Sequence, residues 1–353
     1  MKYPALLPAD QVIAELDTFD SIIDVRSPAE YALDHIPGAI NCPVLNDAER
    51  ITVGTLYKQE SPFEARKLGA AIVARNIAHH LEQHFQTKPK QWKPMIYCWR
   101  GGNRSGSMAL ILAKVGWPVV QLDGGYKAYR HSVMDVLEQL PVSLQFRVIC
   151  GTTGSGKSRL LRYLEQAGAQ VLDLEQLAAH RGSVLGSLPL NPQPSQKMFE
   201  TRLWQALRRF RSDRVVYVES ESKKIGDLRV PAALMDRIRS SPCVQVQIST
   251  NDRVKLLIED YPHLVKDTAL LNEQLSHLTQ LHGKEKIHRW QTLAKTGEVA
   301  ALVNALLVEH YDPAYLRSIE KNFAGYPDSR VITMTGIEEA DFLSAAQTLI
   351  AHE

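Results

Sequence analysis

Met95-Ile-Tyr-Cys-Trp-Arg-Gly-Gly-Asn-Arg-Ser105 decides the fold of the first part of this 353-residue chain. Met95 to Tyr97 predict a short buried strand that ends directly at Cys98. Two glycines follow, and Arg104 to Val115 then carries Met108, Leu110, Ile111, Leu112 and Val115 at helical spacing, stopped by Gly116 and Pro118. A strand feeding a helix through a tight turn is a building unit of a parallel α/β sheet. Outward from it, Ser21–Val25 and Ala39–Pro43 predict two earlier strands, and Val119–Leu122 a later one. Residues 46–92 separate the second and third strands. Within them, Glu64 to Phe85 predicts an extended helix that either covers a site or packs as decoration.

The turn itself carries chemistry. Backbone N–H groups converge where a strand enters a helix, and the helix N-terminus adds partial positive charge. Gly101 and Gly102 let the backbone fold around an anion, Asn103 and Ser105 complete the loop, and Arg100 and Arg104 offer charge-assisted hydrogen bonds. The same field would favour Cys98 as a thiolate nucleophile. Taken alone, the pattern also fits a buried structural cysteine beside a glycine turn.

A second α/β block opens with the strand Phe146–Cys150 and runs straight into Gly151-Thr-Thr-Gly-Ser-Gly-Lys-Ser158. This fits G-x-x-x-x-G-K-[ST] at every fixed position, and Leu160, Leu161 and Leu164 predict the helix that should follow. Gly151, Thr152, Thr153, Gly154, Ser155 and Gly156 form the loop, with amides from Gly154 to Lys157 wrapping a diphosphate. Lys157 reaches its terminal oxygens, and Ser158 is placed to ligate Mg²⁺. The acidic partner is Glu219, or Glu221, after the apolar strand Val215–Val218, where such folds usually present Asp; the metal set stays open. Asp173 to Ser183 is either a polar loop over the site or a solvated helix start. Further strands are expected at Ala169–Leu172, Val244–Ile248 and Val331–Met334, and residues 252–322 predict a helical insertion. Residues 139–145 read as a linker between domains at 12–135 and 145–353.

Composition narrows the class. Hydrophobic content of 44% and charged content of 23% suit a folded soluble chain, and net charge of +2 neither demands nor excludes a nucleic-acid partner. No apolar run approaches the roughly 18 residues of a membrane span. Met1 to Asp10 lacks the apolar core of a secretory signal, so a cytoplasmic address is expected. Cys42, Cys98, Cys150 and Cys243 are widely spaced, without a C-x-x-C pair, and all but Cys98 read as small buried hydrophobes.

Three segments add a resemblance. Ile22-Ile-Asp-Val-Arg-Ser-Pro-Ala-Glu-Tyr31 with His35-Ile-Pro-Gly-Ala39, the Cys98 loop, and Leu122-Asp-Gly-Gly-Tyr-Lys-Ala-Tyr129 resemble the rhodanese family in the right order. That family implies Cys98 as the sulfur or selenium carrier, with Asp24 and Arg26 orienting the fold. Five residues separate Cys98 from Arg104, a longer loop than usual, similar to that of rhodanese-related phosphatases. It implies either phosphate-ester hydrolysis or a chalcogen donor that bears phosphate. A rhodanese domain fused to a P-loop domain resembles the tRNA 2-selenouridine synthase family. The resemblance implies a transferase acting on the wobble 2-thiouridine of tRNA, with selenophosphate and geranyl diphosphate as co-substrates and an S-geranyl intermediate. It implies no tightly bound cofactor. Basic candidates for tRNA are Arg202, Arg208, Arg209 and Arg211, then Lys284, Lys286, His288 and Arg289 beside Trp290; each cluster also fits a solvated helix face. The alternatives are a phosphatase fused to a small-molecule kinase, and a catalytically silent scaffold with two anion sites.

Overall fold

The computed structural model describes residues 3–183, 186 and 191–353; Met1 and Lys2, on which part of the leader reading falls, lie outside them. The chain forms two compact units, Met1–Leu137 with Pro194–Gln205, and Glu138–Gln193 with Ala206–Glu353.

The first unit is built on β1 (Ala5–Leu7), β2 (Ser21–Asp24), β3 (Ala39–Asn41), β4 (Pro94–Tyr97) and β5 (Val120–Leu122). They form one five-stranded sheet in the order β1-β5-β4-β2-β3, with every pair parallel. All four residues of the central β4 are buried, which is why it reads as an unbroken apolar run. The helix Asn103–Val115 buries Met108, Ala109, Leu112 and Ala113, while Leu110, Ile111 and Val115 stay exposed. In the 46–92 segment the helices Asp47–Gln59 and Pro62–His80 precede a widened π-helical turn, Leu81–Phe85. Ile77, Phe85 and Trp92 place this segment in the unit's core.

Two sequence expectations are corrected here. Residues 139–143 are not a linker, because the helix Gly125–Ser143 continues through them with Pro141 inside it. Val133, Leu137, Pro141 and Leu144 are all buried, a helical spacing that the proline disguises. Residues 194–205 belong to the first unit instead of the second. The helix Gln196–Leu207 carries Thr201 Oγ1 to 3.1 Å from the buried Asp34 carboxylate and sets Trp204 edge-on to Tyr129. Arg130 pairs with Glu200, and Ser195 donates to the Leu33 carbonyl.

The second unit contains β6 (Gln145–Cys150), β7 (Gln170–Leu172), β8 (Val215–Glu219), the antiparallel pair β9 (Lys224–Ile225) and β10 (Leu228–Arg229), β11 (Pro242–Gln247) and β12 (Gly325–Thr333). The main sheet runs β12-β11-β6-β8-β7, again wholly parallel, with β6 central. β12 begins earlier than its apolar run because Gly325 opposes Pro242 across an irregularity, after which Arg330 opposes Val244. Residues 250–322 contain helices and no strand among the described residues. They have their own core of Leu271, Leu275, Leu278, Ile287, Trp290 and Leu302. Among the described residues no helix is long and apolar enough to cross a membrane.

Candidate active site

Both candidate loops leave the carboxyl end of the central strand of a parallel sheet, where such folds place their ligands. In the first unit, β4 delivers Cys98, whose residue is only 3% exposed. The loop carbonyls are tied down from behind: Tyr126 N–H donates to Cys98 O at 2.8 Å and Lys127 N–H to Trp99 O at 3.0 Å. Gln121, on β5, donates to Gly101 O at 2.6 Å and to Ser105 Oγ at 3.2 Å. Ser105 Oγ lies 3.2 Å from Cys98 Sγ. With these carbonyls fixed, the amides of residues 99–105 meet no acceptor among the described residues, so they are available to an anion beside the sulfur.

Glycine is required where the loop meets the start of the next helix. A Cβ on Gly125 (φ +58°) would lie 2.4 Å from both Cys98 O and Gly101 N, and one on Gly101 (φ +66°) 2.6 Å from Leu122 O. The Asp-Gly-Gly segment is therefore the backing that lets the loop close. Beneath it, Arg26 and Asp24 form a buried pair at 2.6 Å, and the Arg26 guanidinium lies 3.9 Å from the Tyr126 ring centroid. Their contacts are with the frame of the loop. Arg104 bridges to Glu30 at 2.8 Å, whereas Arg100 is exposed, as are Gly102 and Asn103. Trp99, half-buried, stacks obliquely on Tyr126 with centroids 5.3 Å apart, and Lys197 Nζ lies 5.8 Å from its indole. Gln121, Glu30 and Lys197 were missed in sequence; only Gln121 left a signal, as a polar residue in an apolar strand.

In the second unit, residues 151–158 join β6 to the helix Lys157–Gln166, which buries Leu160, Leu161 and Leu164. Gly151 N–H donates to Tyr315 Oη at 2.7 Å, and Ser155 N–H to Thr152 O at 3.1 Å. The amides of 152–154 and 156–158 meet no acceptor among the described residues. Lys157 Nζ folds back onto Gly151 O at 2.6 Å. The loop lines a cleft of about 350 Å³.

Carboxylates crowd this cleft. Ser158 Oγ donates to Glu175 at 3.0 Å, and Glu175 N–H donates to Glu219 Oε1 at 2.9 Å. Glu221 also lines it, and of the 173–183 stretch so do Glu175, Arg181, Gly182 and Ser183. Burial, then the charge of Glu221, pushes the Glu175 carboxyl up to about 8. Burial and the neighbouring Asp173, Glu175 and Glu221 carry Glu219 well above the usual carboxylate range. Burial lowers the Lys157 ammonium, against the opposing pull of Glu175 and Glu221. Glu219 Oε2 is buried without a hydrogen-bond partner. An all-oxygen set of Ser158, Glu175 and Glu219 suits Mg²⁺, which takes one or two carboxylates and completes its shell with water and phosphate. These residues fit the ion that such loops employ.

The basic candidates divide. Arg211 is exposed and pairs with Asp213 at 2.7 Å, and Arg208 and Arg209 are exposed as well. Lys286 and Arg289 both pair with Glu309. Trp290 is wholly buried in the helical insertion, so it is not a stacking surface; its spacing with Ile287 and Ala294 marks core. All four cysteines are free and buried, and burial holds the Cys42 thiol up at about 11.

The geometry defines a class: a rhodanese-type cysteine loop and a phosphate-binding loop on separate parallel sheets of one chain. A rhodanese-like domain model matches residues 8–132, and a model described as the tRNA 2-selenouridine synthase AAA domain matches residues 144–284. The tRNA 2-selenouridine synthase of Hydrogenovibrio crunogenus is 33% identical over 327 residues, covering 85% of this chain and 89% of that one. The enzyme of the same name from Sulfurovum sp. is 31% identical over 340 residues, with the same two coverages. The chain belongs to the tRNA 2-selenouridine synthase family.

Proposed function

We propose that this protein converts wobble 2-thiouridine in tRNA to 2-selenouridine in two steps. First, the 2-thio sulfur attacks the C1 carbon of geranyl diphosphate; a C–S bond forms, the C–O bond breaks, and diphosphate leaves. The loop 151–158 takes the departing diphosphate on its amides, and Lys157 turns from Gly151 O to its oxygens. A Mg²⁺ held by Ser158 with Glu175 and Glu219 would neutralise further charge there. Second, the selenium of selenophosphate attacks C2, the C2–Se bond forms and geranylthiolate leaves, giving a Se-phosphorylated nucleoside whose P–Se bond must then be cleaved. Alkylation matters because it turns a poor leaving group into a competent one.

Selenophosphate carries selenium at the selenide level, which cannot join a cysteine sulfur without an oxidant, so Cys98 acts in this reading on phosphorus. Its thiolate forms an S–P bond, the P–Se bond breaks to leave 2-selenouridine, and water then hydrolyses the phosphocysteine to phosphate. The amides of 99–105 with Arg100 and Arg104 hold the phosphoryl oxygens. Arg104 must turn partly from Glu30 to do so. The observation that carries the proposal is the pairing of two amide-lined loops, one with a cysteine at its floor, in a chain of this family. Cys98→Ala is expected to abolish selenation while geranylation continues, read by mass spectrometry of nucleosides from tRNA incubated with each co-substrate. Loss of both activities from a folded variant overturns this division of labour. A wild-type protein that never acquires a phosphoryl group on Cys98 during selenation overturns its role as the phosphoryl acceptor.

A further inference from the structure

The phosphate cleft of the second unit adjoins a smaller pocket of different chemistry. Five residues, Thr153, Ser183, Leu257, Tyr261 and Tyr311, line both spaces. Every other residue lining the small pocket is a leucine or a valine. The helix Val299–Leu306 supplies Val299, Leu302, Val303 and Leu306, which stand at i, i+3, i+4 and i+7 on one helical face. Leu264, Val265 and Leu271 come from the two short helices Pro262–Lys266 and Thr268–Ser276. The pocket is thus a gap in the core of the helical insertion, opening beside the phosphate loop.

A nucleobase would find no polar partner past the shared rim, since leucine and valine side chains neither donate nor accept. A free sugar or peptide would leave its polar groups unpaired, which is costly in an apolar wall. What fits is an apolar tail covalently attached to a phosphorylated head. The volume, about 70 Å³, takes only part of a short chain and excludes a ring system or a long lipid, so the rest of a tail would lie along the rim shared with the larger cleft. We propose that this pocket is the tail subsite for geranyl diphosphate, gripping the hydrocarbon while residues 151–158 hold the diphosphate. This rests on the reading of that loop as the diphosphate site and adds where chain-length selection occurs. The insertion, which carries none of the loop's own motif residues, then has a role: it makes a phosphate loop selective for a prenyl donor.

The expected effect follows from transfer of hydrocarbon out of water, about fourfold in affinity for each methylene that enters the pocket. Binding of inorganic pyrophosphate, dimethylallyl diphosphate and geranyl diphosphate to the full-length protein, by calorimetry with Mg²⁺, should tighten in that order. Val303 and Val265 are only partly buried and lie on different helices, so each can be enlarged with least risk to the core. Val303→Phe and Val265→Phe, which fill the pocket from two sides, should each weaken geranyl diphosphate by about tenfold or more and leave pyrophosphate unchanged. Val303→Ala should improve a longer prenyl diphosphate relative to geranyl. Unaltered pyrophosphate binding shows that a variant is folded. If geranyl diphosphate binds no tighter than pyrophosphate, or both filled variants keep wild-type geranyl affinity, the tail subsite is wrong and the diphosphate site stands. If the wild type binds no diphosphate, the reading of the loop fails and the subsite with it.

Discussion

Replacing Gly125 by alanine tests whether the Cys98 loop works through its exact closure. Gly125 has φ +58°, and Gly38 in the same unit has φ +79°, so an alanine at either position costs about 1–2 kcal/mol of left-handed strain. The surroundings differ. A Cβ on Gly38 meets nothing within 4 Å, whereas one on Gly125 lies 2.4 Å from Cys98 O and from Gly101 N, both backbone atoms. Carbon and oxygen settle at about 3.3 Å or beyond, so the loop must withdraw by about 1 Å from its backing. A displacement of that size in a reacting group costs on the order of a hundredfold in rate. Gly38→Ala should therefore lower the melting temperature modestly and keep the rate of 2-selenouridine formation per folded molecule. Gly125→Ala should lose about a hundredfold of that rate. Both are read by nucleoside mass spectrometry on 2-thiouridine tRNA with a parallel melt. Equal rate losses in the two variants, or none in Gly125→Ala, would refute the argument that backbone contact sets the position of Cys98.

The remaining expectations concern charge and docking. The Glu175 carboxyl is raised to about 8 from an ordinary value of 4.5, so the folded state favours its proton; the stability this confers is complete below the ordinary value and disappears as pH rises through about 8. Glu175→Gln should flatten the melting temperature across that window, and an unchanged pH profile would sink the assignment. Because the same proton must leave before the carboxylate can ligate a cation, the rise in melting temperature caused by Mg²⁺ should be larger well above pH 8 than well below it. Thr201→Val removes a hydroxyl donor to the buried Asp34, whose Oδ1 already lacks a partner, and should cost about 1–3 kcal/mol in denaturant unfolding, recovered by Thr201→Ser. Glu30→Gln keeps the acceptor facing Ser27 N–H but releases Arg104 from its ion pair; phosphate-type anions should bind the Cys98 loop about fivefold more tightly, by calorimetry.

Sequence made the two loops legible because each depends on residues adjacent in the chain. A strand, a glycine turn and a helix are local, and their apolar spacing survives in both units. What escaped depended on contacts distant in sequence. β1 is a three-residue edge strand, too short to show any period, and it exists because Ala5–Leu7 pair with Val120–Leu122. The helix Gln196–Leu207 follows the second sheet's opening elements in the chain, yet Thr201 and Trp204 seek Asp34 and Tyr129 in the first unit. Pro141 signalled a break, but burial of Leu137 and Leu144 on either side holds the helix. Glu175 fell within a segment whose polarity fitted loop and helix alike, and only the fold brings its carboxyl to Ser158. Trp290 misled for the converse reason: Lys284, His288 and Arg289 stand on the exposed face of a helix whose other face, with Ile287 and Ala294, is core.

The two loops present similar amides but opposite electrostatic surroundings, and this separates what each can hold. Around Cys98 the Glu30 carboxylate is spent on Arg104 and that of Asp24 on Arg26, and Arg100 is exposed, so an anion can approach unaccompanied. Around residues 151–158, Glu175, Glu219 and Glu221 line the same cleft as Lys157. Three carboxylates and a diphosphate cannot share that space as bare anions. Either the acids keep their protons, as their raised values allow, or a divalent cation arrives with the diphosphate. A donor that enters with a cation and leaves its diphosphate behind suits the second loop; a donor whose phosphoryl group passes to a sulfur suits the first. Exchanging the proposed roles would require Glu30 or the acidic trio to be rebuilt, so under this proposal the charge pattern, more than the shared loop geometry, separates the two loops.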